Sequence, residues 1–242
     1  MKQIRINKYL AKLGLASRRQ VDEFIEQGLV KVNDQPAELG MKIDPSQDTI
    51  EFKGKKFPKA EQPEKKEYWK LYKPVGVVST TDDPRDRRVV TDLVKTDSRI
   101  YPVGRLDMES EGLLLLTNDG QLTYKLTHPK YEIEKEYHVW FEGDLTANDI
   151  KLMRQGMMLT DGMTAPARVQ PAWQRDNSGM FKIILTEGRN REIRRMSARV
   201  GVTVTRLKRV RMASLQLGEL EPGEAVELTQ RELDELNEAV SA

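Results

Sequence analysis

The stretch Tyr101–Thr117, YPVGRLDMESEGLLLLT, decides how the rest of the 242-residue chain is read. Leu113 to Leu116 is a continuous apolar run, long enough for a buried strand and far short of a membrane span. The segment before it has the composition of a loop, with Gly104 and Gly112 as punctuation and Arg105, Asp107, Glu109, Ser110 and Glu111 between them. A buried strand thus carries at its tip one carboxylate, Asp107, two residues after an arginine. Taken alone, such an aspartate reads better as a turn residue capping backbone N–H groups.

On the N-terminal side, Tyr68–Tyr72 is a strand candidate, and Lys73-Pro74-Val75-Gly76 ends it in a turn. Thr80–Arg88 is a polar loop whose Asp82, Asp83 and Asp86 interleave with Arg85, Arg87 and Arg88, which favours a solvated loop over a metal site. On the C-terminal side, Asp119-Gly120 starts a short helix that His128-Pro129 closes, with His128 expected to complement the helix dipole. Lys135–Phe141 (KEYHVWF) alternates as a strand with Tyr137, Val139 and Phe141 on one face. By periodicity Tyr137 is a core aromatic. Leu145–Gly156 reads as a helix and Met180–Thr186 as a buried strand. Glu224–Leu228 suggests a closing strand, and Thr229 with Glu232 makes a capping box for a terminal helix that buries Leu233 and Leu236.

The segment GRNREIRRMSARVGVTVTRLKRVR, Gly188 to Arg211, is the most basic in the chain. It holds Arg189, Arg191, Arg194, Arg195, Arg199, Arg206, Lys208, Arg209 and Arg211 against Glu192 alone. Ile193, Met196 and Val200 fall at helical spacing, so one face can pack while the arginines point elsewhere. So one-sided a block repels itself, and a polyanion would relieve it.

The first sixty residues read as a compact module near the lower limit for independent folding. Asn7 is placed as the cap of a helix, Lys8–Leu13, that Gly14 stops. Ser17 with Gln20 caps a second helix that buries Val21, Phe24 and Ile25 and ends at Gly28. Leu29–Asn33 and Thr49–Phe52 read as strands, with a turn over Asn33–Pro36. Its basic residues include Arg5, Lys8, Arg18, Arg19 and Lys31. Arg18 and Arg19 at a helix start, where positive charge is already present, suit a phosphate backbone better than they suit the helix. Lys55–Glu67 (KKFPKAEQPEKKE) has two prolines and dense mixed charge, and reads as a linker that leaves the module mobile.

Composition bounds the rest. With 40 basic and 38 acidic residues the net charge is +2, so overall charge says little about partners. The absence of cysteine excludes disulfides, thiolate catalysis and cysteine metal sites, and two histidines exclude a histidine-rich metal site. No signal-like start and no apolar stretch of roughly 20 residues is present, so a soluble cytoplasmic protein is expected.

Four segments in order, KPVGVVST, GRLDMESEGLLLLT, KEY and EGRNREIRRM, resemble the motifs of the pseudouridine synthases, in the branch that modifies bacterial ribosomal RNA. RINKYLAKLGLASRRQVDEFIEQGLVKVND resembles the S-four-type (alpha-L) RNA-binding domain, which often has Gly where Asp34 stands. The resemblance implies an α+β protein. A small RNA-binding domain (1–56) and a linker (57–67) would precede a synthase domain with a mixed or antiparallel sheet (68–242). It implies an isomerase that flips a uridine from its stack and needs no cofactor or metal. Asp107 would be the essential aspartate, Tyr137 would stack on the base, and Arg194 would pair with Asp107. The RNA contacts it implies are Arg5, Lys8, Arg18, Arg19, Lys31, Lys73, Arg105, Arg189, Arg191 and Arg195. RINKYL, KPVGVVSTT and IRRM stand closer to the large-subunit (23S) enzymes than to the small-subunit (16S) one. A monomer is expected.

The chemistry is consistent with those residue types. Extracting a base costs a few kcal/mol, and stacking on an aromatic returns about 1–3 kcal/mol. A carboxylate in a dry pocket drifts toward its neutral form unless a cation holds it ionised. At ~4 Å and an effective dielectric of about 20, that attraction is of order 4 kcal/mol. Two other readings use the same features: a ribosome-assembly factor that binds RNA without turnover, and a glycosylase that releases free uracil.

Overall fold

The computed structural model describes residues 3–57 and 65–241. The chain divides into two compact units, Met1–Lys66 and Glu67–Ala242.

In the small unit, β1 (Ile4–Arg5) leads into helix α1 (Ile6–Lys12), and α2 (Arg18–Glu26) follows. The strands β2 (Val30–Val32), β3 (Gln35–Pro36), β4 (Lys42–Ile43), β5 (Ile50–Phe52) and β6 (Lys55–Phe57) complete it. β1 pairs with β4, and the others form an antiparallel sheet in the order β3-β2-β5-β6. Ile6, Leu10, Val21, Ile25, Val30, Ile43 and Ile50 fill one core beneath the two helices. The Ser17–Gln20 capping box is present, and Gly28 follows α2 at φ +72°, where a left-handed residue ends the helix. Asn33 and Asp34 both take positive φ, the requirement of a tight hairpin turn. Asp34 tolerates the position that Gly often fills, and its carboxylate meets Lys56 at 2.8 Å.

Two readings of this unit change. Asn7 does not cap α1 but lies within it, its amide donating to both Asp22 carboxylate oxygens at 2.9 and 3.0 Å. Helix α1 begins earlier because Ile6 belongs to the core. Lys55–Phe57, read as the start of a linker, pairs with β5 as a strand. Residues 58–64 of that linker lie outside the described residues.

The large unit has β7 (Tyr68–Lys73), β8 (Tyr101–Pro102), β9 (Glu111–Thr117), α3 (Gly120–Thr127), β10 (Lys135–Glu142), α4 (Ala147–Gln155), β11 (Met158–Leu159) and β12 (Gly162–Met163). It continues with β13 (Arg168–Arg175), β14 (Ser178–Leu185), α5 (Glu192–Arg199), β15 (Thr203–Met212), β16 (Leu215–Gln216), β17 (Ala225–Glu227) and α6 (Gln230–Ala239). The main sheet runs β13-β14-β10-β15-β9-β7-β17, with β16 on β15 and β8 on β9. Every pairing is antiparallel except β9 with β15, which run parallel through Lys208↔Glu111 and Arg209↔Gly112. Two antiparallel halves therefore meet at one short parallel seam. At that seam Gly112 has φ +103°, and a Cβ there would stand 2.2 Å from the Arg209 carbonyl oxygen, so no side chain fits.

β9 is buried along its whole length. Leu113 and Leu115 pack with Leu122 and Leu126 of α3 and Leu236 of α6, while Leu114 and Leu116 face Leu71 and Val90. Each such leucine contributes on the order of 1.5–3 kcal/mol relative to exposure. Tyr137, Val139 and Phe141 of β10 share a third core with Phe181 and Ile183 of β14 and with Met153 of α4, Ile193 and Met196 of α5. His128 acts differently from expectation. Its Nδ1 accepts the Lys130 N–H at 3.2 Å, so the ring caps the turn that follows rather than complementing the dipole of α3. Asp83 accepts from the Arg87 guanidinium at 2.6 and 3.0 Å and from the Arg85 and Arg87 N–H groups, an arrangement internal to its loop. No helix among the described residues is long and apolar enough to cross a membrane.

Candidate active site

Asp107 sits on the loop between β8 and β9, and five consecutive carbonyl oxygens of that loop are each held by a different group. The Ser79 hydroxyl donates to Leu106 O at 2.7 Å and accepts the Leu106 N–H. The Ser110 N–H donates to Asp107 O at 3.0 Å, and the Gly76 N–H to Met108 O at 2.8 Å. Arg194 Nη2 donates to Glu109 O at 3.1 Å, and Lys73 Nζ to Ser110 O at 2.7 Å. The KPVG turn, the serine after it and helix α5 thus converge on one loop. The Asp107 side chain, by contrast, makes no hydrogen bond or ion pair within 4 Å among the described residues. The backbone is fixed and the carboxylate is left available.

That carboxylate lines a cavity of about 300 Å³, a size that suits one nucleotide-sized group. Its walls include Arg105, Leu106, Tyr137, Lys135, Arg209, and the Glu187–Ile193 turn. Tyr137 enters from β10 opposite Arg209 of β15 in register, so alternation along both strands aims them to the same side. Its hydroxyl has no hydrogen-bond partner among the described residues.

The site is rich in buried cations. Lys73 is fully buried, its ammonium also donating to Pro74 O at 2.9 Å. Burial pushes it down to about 8, against the pull of Asp107 and then Glu111, while Arg209 adds to the lowering. Lys135 is likewise pushed down to about 8 by burial and then by Arg209, and its Nζ donates to Ile133 O at 2.8 Å. Arg209 is 2% exposed and its Nε donates to Leu113 O at 2.7 Å. On the acidic side, burial raises the Glu192 carboxyl, and Glu187 reinforces the rise. Glu192 Oε2 nonetheless accepts the Arg189 N–H at 2.9 Å.

The structure brings Asp107, Tyr137, Arg105, Arg189 and Arg191 to one cavity and treats other expected residues differently. Arg194 does not pair directly with Asp107. It donates to Glu109 O and to Val204 O at 3.1 Å, and burial lowers its pKa while the carboxylates of Glu109 and Asp107 support its charge. It holds the loop that presents the aspartate and reaches Asp107 only through its field. Lys73 is buried under the loop and cannot reach an RNA phosphate. Arg189 Nε bonds Glu187 at 2.8 Å and its Nη atoms bond the Gly162 and Met163 carbonyls, so it ties β12 to the turn before α5. Arg195 forms a two-pronged pair with Asp161 at 2.7 and 2.9 Å. Arg191, at φ +50° ahead of α5, pairs with the Glu109 carboxylate at 2.8 Å yet stays exposed. In the small unit Arg5, Lys8, Arg18 and Arg19 are exposed without ion pairs among the described residues, while Lys31 meets Glu51 at 3.4 Å.

Sequence reasoning missed Lys135, Glu192 and Arg209 as pocket residues. Arg209 lay hidden in the basic block. Its only signal was two-residue alternation with Leu207 in RLKRVRM, the pattern that sends both side chains inward.

A mixed sheet that brings an unengaged aspartate and a tyrosine to one cavity, preceded in the chain by a small module with exposed cations, suits chemistry on a nucleotide. Comparison with known proteins narrows the class. The model of the RNA pseudouridylate synthase family matches residues 67–199, and that of the S4 domain matches residues 4–50. The chain is 42% identical to the ribosomal large subunit pseudouridine synthase B of Bacillus subtilis, covering 96% of this chain and 95% of that one. It is 37% identical to an uncharacterized RNA pseudouridine synthase of Aquifex aeolicus, covering 99% and 96%. A solved crystal structure of a pseudouridylate synthase superposes with a TM-score of 0.68 at 30% identity, covering 96% and 99%. The chain belongs to the RNA pseudouridylate synthase family, isomerases of α+β fold, and carries an N-terminal S4 domain.

Proposed function

We propose that this enzyme converts one uridine of 23S ribosomal RNA to pseudouridine, as a cytoplasmic monomer. Asp107 is its essential carboxylate. The observation that carries the reading is the loop of five tethered carbonyls presenting an unengaged Asp107 to a cavity walled by Tyr137. Positioning of this kind is worth several kcal/mol to a reaction that needs no outside energy.

In this mechanism the target base leaves its stack and enters the cavity, where Tyr137 lies against its face. Asp107 acts on the flipped nucleoside, the bond from N1 to the sugar breaks, the ring turns, and carbon five takes the place of N1. Arg194 fixes the loop that presents the carboxylate. Arg105 and Arg191 at the rim hold the displaced backbone, and Arg5, Lys8, Arg18 and Arg19 place the RNA. The large-subunit target rests on the name of the Bacillus subtilis relative and on the RINKYL, KPVGVVSTT and IRRM segments.

Carbodiimide-adduct mapping of unmodified 16S and 23S transcripts, treated with the protein or with Asp107→Ala, tests the reading. The expected result is one new mark in 23S RNA that the variant fails to make. A mark confined to 16S overturns the subunit choice. Free uracil in place of a mark means a glycosylase, and salt-sensitive binding without either product means an assembly factor.

A further inference from the structure

Arg209 in the cavity wall is a donor that the mechanism above does not use. Arg209 Nε is satisfied by the Leu113 carbonyl, but its buried Nη2 has no partner among the described residues. Leaving a buried charged donor unpaired costs more than leaving a neutral one unpaired, and such an orphan in a native pocket calls for a partner that arrives later. Lys135 stands in the same wall, its ammonium held by the Ile133 carbonyl and close enough to feel the charge of Arg209. Glu192, whose charge acts on Lys135, is 4% exposed and is driven by burial toward its neutral form. Beside Tyr137, Arg209 and Lys135 thus stand as buried and half-buried cations without an ion pair of their own among the described residues, while Asp107 and Glu187 line other parts of the cavity, in surroundings where water screens little. Arg105 and Arg191 line the same cavity but are exposed, so solvent weakens their field.

We propose that Arg209, supported by Lys135, is a further catalytic residue that stabilises the negative charge the uracil ring acquires during isomerisation. The inference rests on the reading that the cavity takes a uridine. Cleavage of the N1–C1′ bond leaves its electron pair on the ring, where the charge spreads over N1 and the two carbonyl oxygens. The Arg209 guanidinium donates to one of those oxygens. When carbon five bonds C1′, the pair returns to that bond, the hydrogen on carbon five leaves as a proton, and N1 takes one up. Nothing is oxidised or reduced. If Asp107 instead adds to the ring first, the displaced pair again reaches a carbonyl oxygen, so the need for a buried cation is the same for either opening move. Donors aimed at developing charge are the largest single contributor in many enzymes.

The test is single-turnover kinetics at saturating RNA, with transcripts bearing uridine or 5-fluorouridine at the target, for the wild type, Arg209→Gln, Arg209→Lys and Lys135→Met. Loss of the original nucleoside after digestion reads bond cleavage. Arg209→Gln is expected to slow uridine consumption about 100- to 1000-fold, with RNA affinity unchanged, and Arg209→Lys to recover part of the loss. Fluorine makes the ring a better leaving group, so the deficit of Arg209→Gln should shrink on 5-fluorouridine. A melting scan on each variant separates misfolding from slow chemistry. A folded Arg209→Gln with wild-type rates, or with the same deficit on both bases, overturns the proposal. Should Arg209→Gln fail to fold, Lys135→Met decides on the same criterion, with an expected deficit of about 10-fold that also shrinks on 5-fluorouridine. A wild-type protein inert on both ribosomal RNAs overturns instead the reading on which the proposal rests.

Discussion

Arg18 and Arg19 in the small unit are exposed and free of ion pairs among the described residues, whereas Arg189, Arg194, Arg195 and Arg209 in the large unit are each bonded to the protein itself. Both regions attract attention by arginine content alone. The first has cations at the N-terminus of a helix that gains nothing from them, so their use lies outside the fold. The second has a turn, a helix and a strand whose guanidinium groups bond to other parts of the fold, seating a loop, a hairpin and a seam. An arginine's solvent exposure and its existing partners, more than its presence in a basic run, separate cations left open to solvent from those that brace the fold.

The sharpest way to break this contrast is Arg194→Ala. It removes the bonds to Glu109 O and Val204 O, and a loop displaced by about 1 Å loses about 100-fold in turnover. RNA affinity should stay within about twofold, so a filter-binding assay beside the kinetics checks it. An affinity loss without a rate loss would return Arg194 to the RNA-contact class.

Buried cations should also show in the pH dependence of stability. Lys73 and Lys135 both fall to about 8 from an ordinary value of 10.5. Between those values the unfolded chain binds more protons than the folded one, so these groups make stability rise with pH. Below about pH 8 both states are protonated and the cost of burying the charge is complete. Each lysine adds a slope of up to ~1.4 kcal/mol per pH unit. Urea midpoints of the wild type and Lys73→Met, followed from pH 8 to 10, should diverge, the variant showing the shallower rise. Parallel curves would mean that Lys73 is not buried as a charge.

The exposed arginines should behave oppositely. Arg18→Ala with Arg19→Ala should weaken binding to ribosomal RNA about 10-fold and flatten the salt dependence by a slope of about 1.5 to 2. The rate at saturating RNA and the melting temperature should be unchanged. The smallest effect belongs to Arg195→Ala. Its pair with Asp161 is partly exposed, so the loss should stay within about 1 kcal/mol of stability with no change in RNA affinity. A 10-fold drop in affinity instead would place Arg195 on the RNA.

The strands that carry Asp107 and Tyr137 were legible because their signals are local: an unbroken leucine run and strict alternation in KEYHVWF. Capping boxes at Ser17 and Thr229 were legible for the same reason. Asn7 misled because its residue type favours caps while its neighbour Ile6 is needed in the core. The division of the basic block into α5 and β15 was not drawn, since a charge run masks the switch from helical to strand periodicity. Which arginines turn inward depends on the parallel pairing of β9 with β15, a contact between residues almost a hundred positions apart that no local pattern announces.

That pairing has a consequence for how the enzyme can change over time. The sheet half that bears the Asp107 loop and the half that bears Tyr137 are aligned through two residue pairs, with Gly112 lying flat against the Arg209 backbone. A slip of one residue there would turn Arg209 to the opposite side of the sheet and Lys208 into the cavity. The hairpin between β13 and β14 can lengthen or drift without altering this alignment. Insertions should therefore be inherited freely at the sheet's outer edge and almost never within Glu111–Leu113, where three residues act as the gauge that sets one wall of the cavity against the other.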